Sequence, residues 1–166
     1  MIAWKAVKPA KLKEDVFRLE FLSAVHKAER EIKKRFQGTT KGFKHEVIFE
    51  SLISLKGGPS VYVYTNDQIY QWLNDGTPPH DIPAKDDGLL SFQVGYTSKT
   101  VPGSLTTRAG SKFGPRIRKK IVHHPGFEAR DFDKMIEEEY RPRFKKLAEE
   151  AMRNAARKCG HYAGAA

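Results

Sequence analysis

Tyr70-Gln71-Trp72-Leu73-Asn74-Asp75-Gly76-Thr77-Pro78-Pro79-His80-Asp81-Ile82-Pro83-Ala84-Lys85 decides how the rest of the chain is read. The stretch follows Ile69 and opens on an apolar cluster, with Tyr70, Trp72 and Leu73, that is too dense for a solvated loop. Turn chemistry comes at once. Asn-Asp-Gly breaks regular backbone, because Gly76 enters the left-handed region that a residue with a Cβ resists. Pro78 and Pro79 then stiffen the exit and push the residue before each toward extended geometry. The expected result is a rigid corner hung from a buried aromatic anchor. A second corner, His123-His124-Pro125-Gly126-Phe127, precedes the last long helical stretch. Tyr70, Trp72, Leu73, Gly76, Thr77, His80, His124, Pro125 and Gly126 are therefore the candidate corner residues.

With 166 residues the chain suits one domain, long enough to bury a core. Hydrophobic residues make up 39% and charged ones 30%, which points to much exposed or partner-covered surface. No run reaches the apolar length of a membrane span, and Met-Ile-Ala-Trp-Lys-Ala-Val-Lys-Pro lacks the apolar core of a signal peptide. Synthesis in the cytoplasm and no membrane partner are expected. Cys159 is the one cysteine, so it has no partner for an intramolecular disulfide or a zinc site and reads as a thiol on a helix face.

The net charge of +10 is unevenly placed. Residues 97–130 hold 8 Lys or Arg against 1 Asp or Glu, whereas residues 46–96 hold 2 against 7. Charge segregated in this way can steer copies of one molecule head to tail as well as attract polyanions. The candidate contact residues for a neighbouring subunit or DNA are Arg108, Lys112, Arg116, Arg118, Lys119 and Lys120. Asp67, Asp75, Asp81, Asp86 and Asp87 form the candidate acidic counter-surface.

Val16, Leu19, Leu22, Val25, Ile32 and Phe36 recur at helical spacing, predicting a long helix from about Pro9 or Ala10 to Phe36, ended by Gly38. Phe43 to Ser54 and Ser60 to Thr65 read as strands joined by Gly57-Gly58-Pro59. Asn66 or Asp67 caps a single helical turn that carries Ile69, Tyr70, Trp72 and Leu73 inward. Residues 88–96 and 116–124 read as two further strands, separated by a polar connection of 19 residues from Thr97 to Pro115. So long a connection with so little apolar content is a flexible loop or a hairpin arm that orders against a partner. Phe132, Ile136, Tyr140, Phe144, Leu147, Ala151 and Ala155 stripe a C-terminal helix from about Ala129 to Lys158. Pro142 predicts a kink or break in it near Tyr140, and the tail from 160 onward should fray.

Chemical constellations are sparse. His80, Asp81, His123 and His124 carry metal-ligand chemistry, but no helix bears His-Glu-x-x-His and adjacent strand residues point to opposite faces. No Gly-x-Ser-x-Gly elbow or Gly-Lys-Ser phosphate loop is present. Catalytic, metal and cofactor roles are therefore not expected, and a metal-dependent nuclease is the least supported class. Nonspecific nucleic-acid binding through the tract from Arg108 to Lys120, with Phe113 stacking on a base, is the alternative function.

Taken in order, these features resemble the tail-component family of long-tailed bacteriophages and prophages, the tail-completion, neck or head-tail joining proteins. The likeness runs from about Val16 to Ala155. It is carried by the basic N-terminal helix, by Tyr70, Leu73, Gly76, Thr77, His80, Ile82 and Lys85, and then by His124, Pro125, Gly126 and Phe132. Two departures stand out: Gly-Thr-Thr-Lys-Gly-Phe-Lys-His replaces the Arg-Thr-Gly-x-Leu stretch often found after the first helix, and the acidic residue before Gly-Thr stands at Asp75 beside Asn74. The resemblance implies an α+β fold, a small mostly antiparallel sheet packed by long terminal helices, and no catalysis. It also implies a homo-oligomeric ring, hexamer or dodecamer, in the virion. The partners it implies are the connector, tail tube or terminator, with nonspecific DNA contact in the channel.

Overall fold

The computed structural model describes residues 11–161, so the expected helix start at Pro9 or Ala10 and the tail beyond His161 lie outside the described residues. The elements are α1 (Glu14–Thr39), β1 (Glu50–Ser54), β2 (Ser60–Tyr64), α2 (Gln68–Asp75), β3 (His80–Pro83), β4 (Leu90–Gln93), β5 (Tyr96–Thr97), β6 (Ser111–Lys112), β7 (Arg116–Lys119), β8 (Ile121–His124) and α3 (Phe132–Lys158). The fold is α+β: long N-terminal and C-terminal helices packed together with small antiparallel two-stranded sheets. Contacts sort the described chain into two compact units. One holds the chain up to Ile32, Ser51–Val63 and the chain from Tyr140; the other holds Lys33–Glu50 and Tyr64–Glu139.

In the first unit α1 meets α3 through Ala28, Tyr140 and Leu147, with Ala24, Ile32, Val61 and Phe144 around them. A polar clasp borders this core. The Tyr140 hydroxyl donates to Glu31 Oε2 at 2.7 Å, and the Arg143 guanidinium donates to both carboxylate oxygens of Glu31 at 3.2 Å. Donation from Arg143 and then Tyr140 holds the Glu31 carboxyl below its ordinary range, while burial and the adjacent carboxylate push the Tyr140 phenol up. Of the kink or break expected near Tyr140, the break does not occur, since α3 runs through Pro142 to Lys158. Pro142 lies on the exposed side of the helix, and Tyr140, Phe144 and Leu147 are packed on either side of it.

The second unit is built on Tyr70. Its ring meets Phe49 edge-on at 5.1 Å and Phe132 at 5.8 Å, and Phe36 lies 5.3 Å from Phe49. The hydroxyl shares a hydrogen bond of 3.2 Å with Thr39 Oγ1, and burial pushes the phenol pKa up to about 12. Asp67 caps α2 by accepting from the Tyr70 amide at 2.7 Å. Because α2 is a two-turn helix, Tyr70 and Leu73 share one face while Ile69 and Trp72 share another. Only Tyr70 of the four is buried; Ile69 and Trp72 are each 50% exposed, so the inward placement expected for them is corrected. Two further boundaries shift. Helix α1 continues through Gly38 to Thr39, whose hydroxyl donates back to the Phe36 carbonyl, and β1 begins only at Glu50, although Val47 and Phe49 before it are buried.

The two corners meet. Thr77 and Phe127 exchange backbone hydrogen bonds of 3.0 and 3.1 Å. Gly76 and Gly126 both take positive φ, and a Cβ on Gly126 would stand 2.2 Å from the Thr77 carbonyl oxygen. Asn74 closes the junction: its carbonyl accepts from the Arg130 and Asp131 amides at 3.0 Å, and its side-chain oxygen accepts from the Asp133 amide of α3 at 3.2 Å.

From this crossing the chain runs out and back as an interrupted antiparallel ribbon. Strand β3, absent from the sequence expectation, pairs with β8 in the register His80↔His124 to Pro83↔Ile121. The expected strand over 116–124 is divided at Lys120, where the pairing passes from β8 to β7. Residues 85–89 form a tight excursion on the outgoing strand, with Asp86 and Asp87 at positive φ. The ribbon resumes with Leu90↔Lys119 to Gln93↔Arg116. It then bulges at Gly114, between the bonds Val94 N–H to Pro115 O and Phe113 N–H to Gly95 O, before Tyr96↔Lys112 and Thr97↔Ser111.

Gly126→Ala is expected to lower stability by about 3 kcal/mol, seen as a lower denaturant midpoint with unchanged slope. An unchanged midpoint would contradict the close crossing. In the other unit, the lowered pKa of Glu31 implies stability that is fully present above its ordinary value of 4.5 and is lost as pH falls through the depressed folded value. Glu31→Gln should therefore be less stable than the parent at neutral pH, with the gap closing on acidification below pH 4.5. Parallel pH-stability curves for the two proteins would sink this assignment.

Candidate functional site

At the base of the ribbon the pleat separates the four metal-ligand residues. His80 and His124 stack on one face with ring centroids 5.1 Å apart, and Asp81 with His123 forms a 2.8 Å pair on the other. His80 Nδ1 lies 2.9 Å from the Pro78 carbonyl, and His124 Nδ1 accepts from the Gly126 amide at 3.0 Å, so both imidazoles brace the corner. Among the described residues no group of three or more His, Cys, Asp or Glu is placed to hold a metal. An open groove of about 710 Å³ in the first unit is lined mainly by Phe17, Phe21, Leu22, Ile53, Leu55 and Pro59. Glu14, Arg18 and Lys56 also line it.

Further out, the ribbon carries the basic residues. Alternation along β4 and β7 sets Arg116 and Arg118 beside Gln93 and Ser91 on one side, and Lys119 beside Leu90 on the other. Lys112 stands opposite Tyr96 beyond the bulge, and Lys120 lies at the strand switch, its carbonyl accepting from the Ala84 amide at 2.8 Å. Arg108 is held at the tip, its Nε donating to the Ser98 carbonyl at 2.9 Å and its amide to the Lys99 carbonyl at 2.8 Å. None of these six cations forms an ion pair among the described residues. All six are exposed.

The five expected acidic residues do not share one role. Asp67 is spent inside the fold, capping α2 and pairing with His45 at 2.8 Å. Asp75 accepts from its neighbour Asn74 at the end of α2. Asp81 pairs with His123, while Asp86 and Asp87 sit exposed in the excursion between β3 and β4. Pro125 is exposed at the second corner, and Leu73 contributes its carbonyl, which accepts from the Arg130 amide at 3.1 Å.

Arg130 is the functional-looking residue that sequence reasoning missed. It is only 7% exposed. Its Nε donates to Thr100 Oγ1 at 3.3 Å, its Nη1 donates to the Glu128 carbonyl at 3.1 Å, and its guanidinium lies over the Phe127 ring at 5.9 Å. Burial pulls its pKa below the ordinary value, with Glu128 opposing and Arg108 reinforcing that direction. Thr100, itself 3% exposed, is thereby tied to the corner, and Lys99 Nζ donates to the Gly42 carbonyl at 2.8 Å. The 97–115 connection is thus a hairpin whose tip folds back onto its own unit. The one hint in the sequence was the low apolar content of that tip, which left it no other anchor than polar contacts.

Arg130→Ala should cost roughly 2 kcal/mol and speed amide hydrogen exchange across residues 98–108 ahead of the α1–α3 core. Exchange that rises uniformly, or not at all, would deny Arg130 its role as the pin of the hairpin tip. No protein family, curated protein or solved structure matches the chain significantly, so the functional conclusion rests on the chemistry of these residues.

Proposed function

We propose that the protein is a non-enzymatic structural component of a phage virion. In this proposal it is made in the host cytoplasm and assembles as a ring at the head-tail junction or tail end, around the DNA channel. The observation that carries the proposal is the ribbon itself: a braced antiparallel ribbon with six exposed cations that form no ion pair among the described residues and, on its own outgoing strand, the exposed carboxylates Asp86 and Asp87. A basic side and an acidic side that leave each other unpaired within one copy are free to pair between copies. A heterologous contact of that kind generates a ring when the rotation closes.

Lys112, Lys119 and Lys120 meet the Asp86–Asp87 excursion of the next subunit in this arrangement, with Asp81 beside it. Arg116 and Arg118 are left for the channel, where they attract phosphates without reading sequence. The corner supports the same role, because the His80–His124 stack and the Gly76–Gly126 crossing fix the direction in which the ribbon leaves the core. Connector, tail tube or terminator proteins then cap the ring from either side.

Replacing Lys112, Lys119 and Lys120 by Glu is expected to weaken self-association more than tenfold, measured as solution mass by light scattering over a concentration series. Reversing Asp86 and Asp87 to Lys in the same chain should restore it. Assembly that survives the lysine reversal in a protein with unchanged circular dichroism would refute this contact.

A further inference from the structure

We propose that the Arg116–Arg118 side of the ribbon, continued to Phe113, is a docking strip for single-stranded nucleic acid. Phosphates sit on the two guanidiniums and a base stacks on the phenyl ring. This deepens the DNA-contacting half of the proposed function and rests on that side staying uncovered in the assembly.

Three observations bring the parts together. Arg116 and Arg118 stand two residues apart on one strand, with the neutral polar Gln93 and Ser91 opposite them, and neither forms an ion pair among the described residues. From the same side Gln93 Nε2 reaches across to donate to the Gly114 carbonyl at 3.0 Å, so the surface continues without a gap to the bulge that carries Phe113. Phe113 is 62% exposed, and its ring lies over Gly95, where a Cβ would stand 2.8 Å from the nearest ring carbon. Gly95 therefore makes room for an aromatic ring held against backbone and open to solvent on its other side.

An exposed phenyl ring beside unpaired guanidiniums suits one polyanion better than others. An acidic protein surface uses the cations but gains nothing from the ring. A duplex also presents phosphates, yet its base faces are covered by their neighbours. A single strand offers both, and stacking on an aromatic side chain is tolerant of sequence. The strip is short, which fits retention of a strand end more than readout of a site.

The test is fluorescence anisotropy of the full chain with a labelled oligothymidylate and with a duplex of equal length, across a salt series. The oligothymidylate should bind at least tenfold more tightly. Phe113→Ala should cost about tenfold on the oligothymidylate and nothing on the duplex, and Phe113→Trp should keep both. Arg116→Gln combined with Arg118→Gln should weaken both ligands and lower the logarithmic salt slope by between about 1 and 2. Equal affinity for the two ligands, indifference of the oligothymidylate to Phe113→Ala, or binding of neither at low salt would overturn the proposal. Solution mass is read on the same samples. Loss of self-association in the arginine variant with no nucleic acid bound by the parent would assign the strip to a second copy instead, while a parent that stays monomeric but binds the single strand would sink the ring and leave the strip standing.

Discussion

The unit that carries the ribbon depends on a backbone crossing that leaves no room for a side chain. At Gly76 and Gly126 two chain segments approach so closely that a Cβ would overlap the carbonyl oxygens of Phe127 and Thr77, and the reciprocal Thr77–Phe127 hydrogen bonds hold them there. Everything downstream is placed by that contact. It ends α2 with Tyr70 in the core, sets the register in which His80 faces His124, and delivers Asn74 to the first amides of α3. Hydrogen bonds of this kind contribute only about 1 kcal/mol each in net terms, but the crossing has no alternative geometry. The cost of disturbing it is steric.

Electrostatics play the complementary part. The carboxylates near the core are consumed by the fold: Glu31 in the clasp with Tyr140 and Arg143, Glu20 with Lys158, Asp67 as a cap. The exposed cations of the ribbon have no such partners among the described residues, and clustered exposed cations raise the local attraction for an acidic surface. The fold thus stiffens the ribbon from within and leaves its chemistry directed outward. Arg130 marks the boundary between the two regimes, since it is a buried cation satisfied by Thr100, the Glu128 carbonyl and the Phe127 ring.

Much of this was legible in the residues. Helical periodicity found α1 and α3, and glycine and proline chemistry found both corners, whereas their pairing emerged only from the Thr77–Phe127 bridge. Other features depended on contacts distant in sequence. Trp72 looked like a core residue because aromatic rings usually are, yet the two-turn length of α2 rotated it outward once Tyr70 took the inner position. Strand β3 was hidden by Pro79 just before it and Pro83 at its end, in a pairing that only β8 makes visible. Pro142 pointed to a kink or a break, and α3 continues through it at an exposed position. The anchoring of the hairpin tip by Arg130 and Lys99 rests on partners 30 and 57 residues away, beyond any local pattern. The separation of Arg116 and Arg118 from Lys119 required the ladder register, which charge counts along the chain do not contain.

In the proposed function, the ribbon's cations and the Asp86–Asp87 excursion of the next copy close the chains into a ring. The most direct measurement is electron microscopy of the purified protein across a concentration series, with masses of the same samples taken in solution. Closed hexameric or dodecameric rings with a central opening, growing in with concentration in the absence of nucleic acid, are the predicted result. Two-fold dimers, or a monomer at every concentration, would contradict the head-to-tail contact on which the functional account is built.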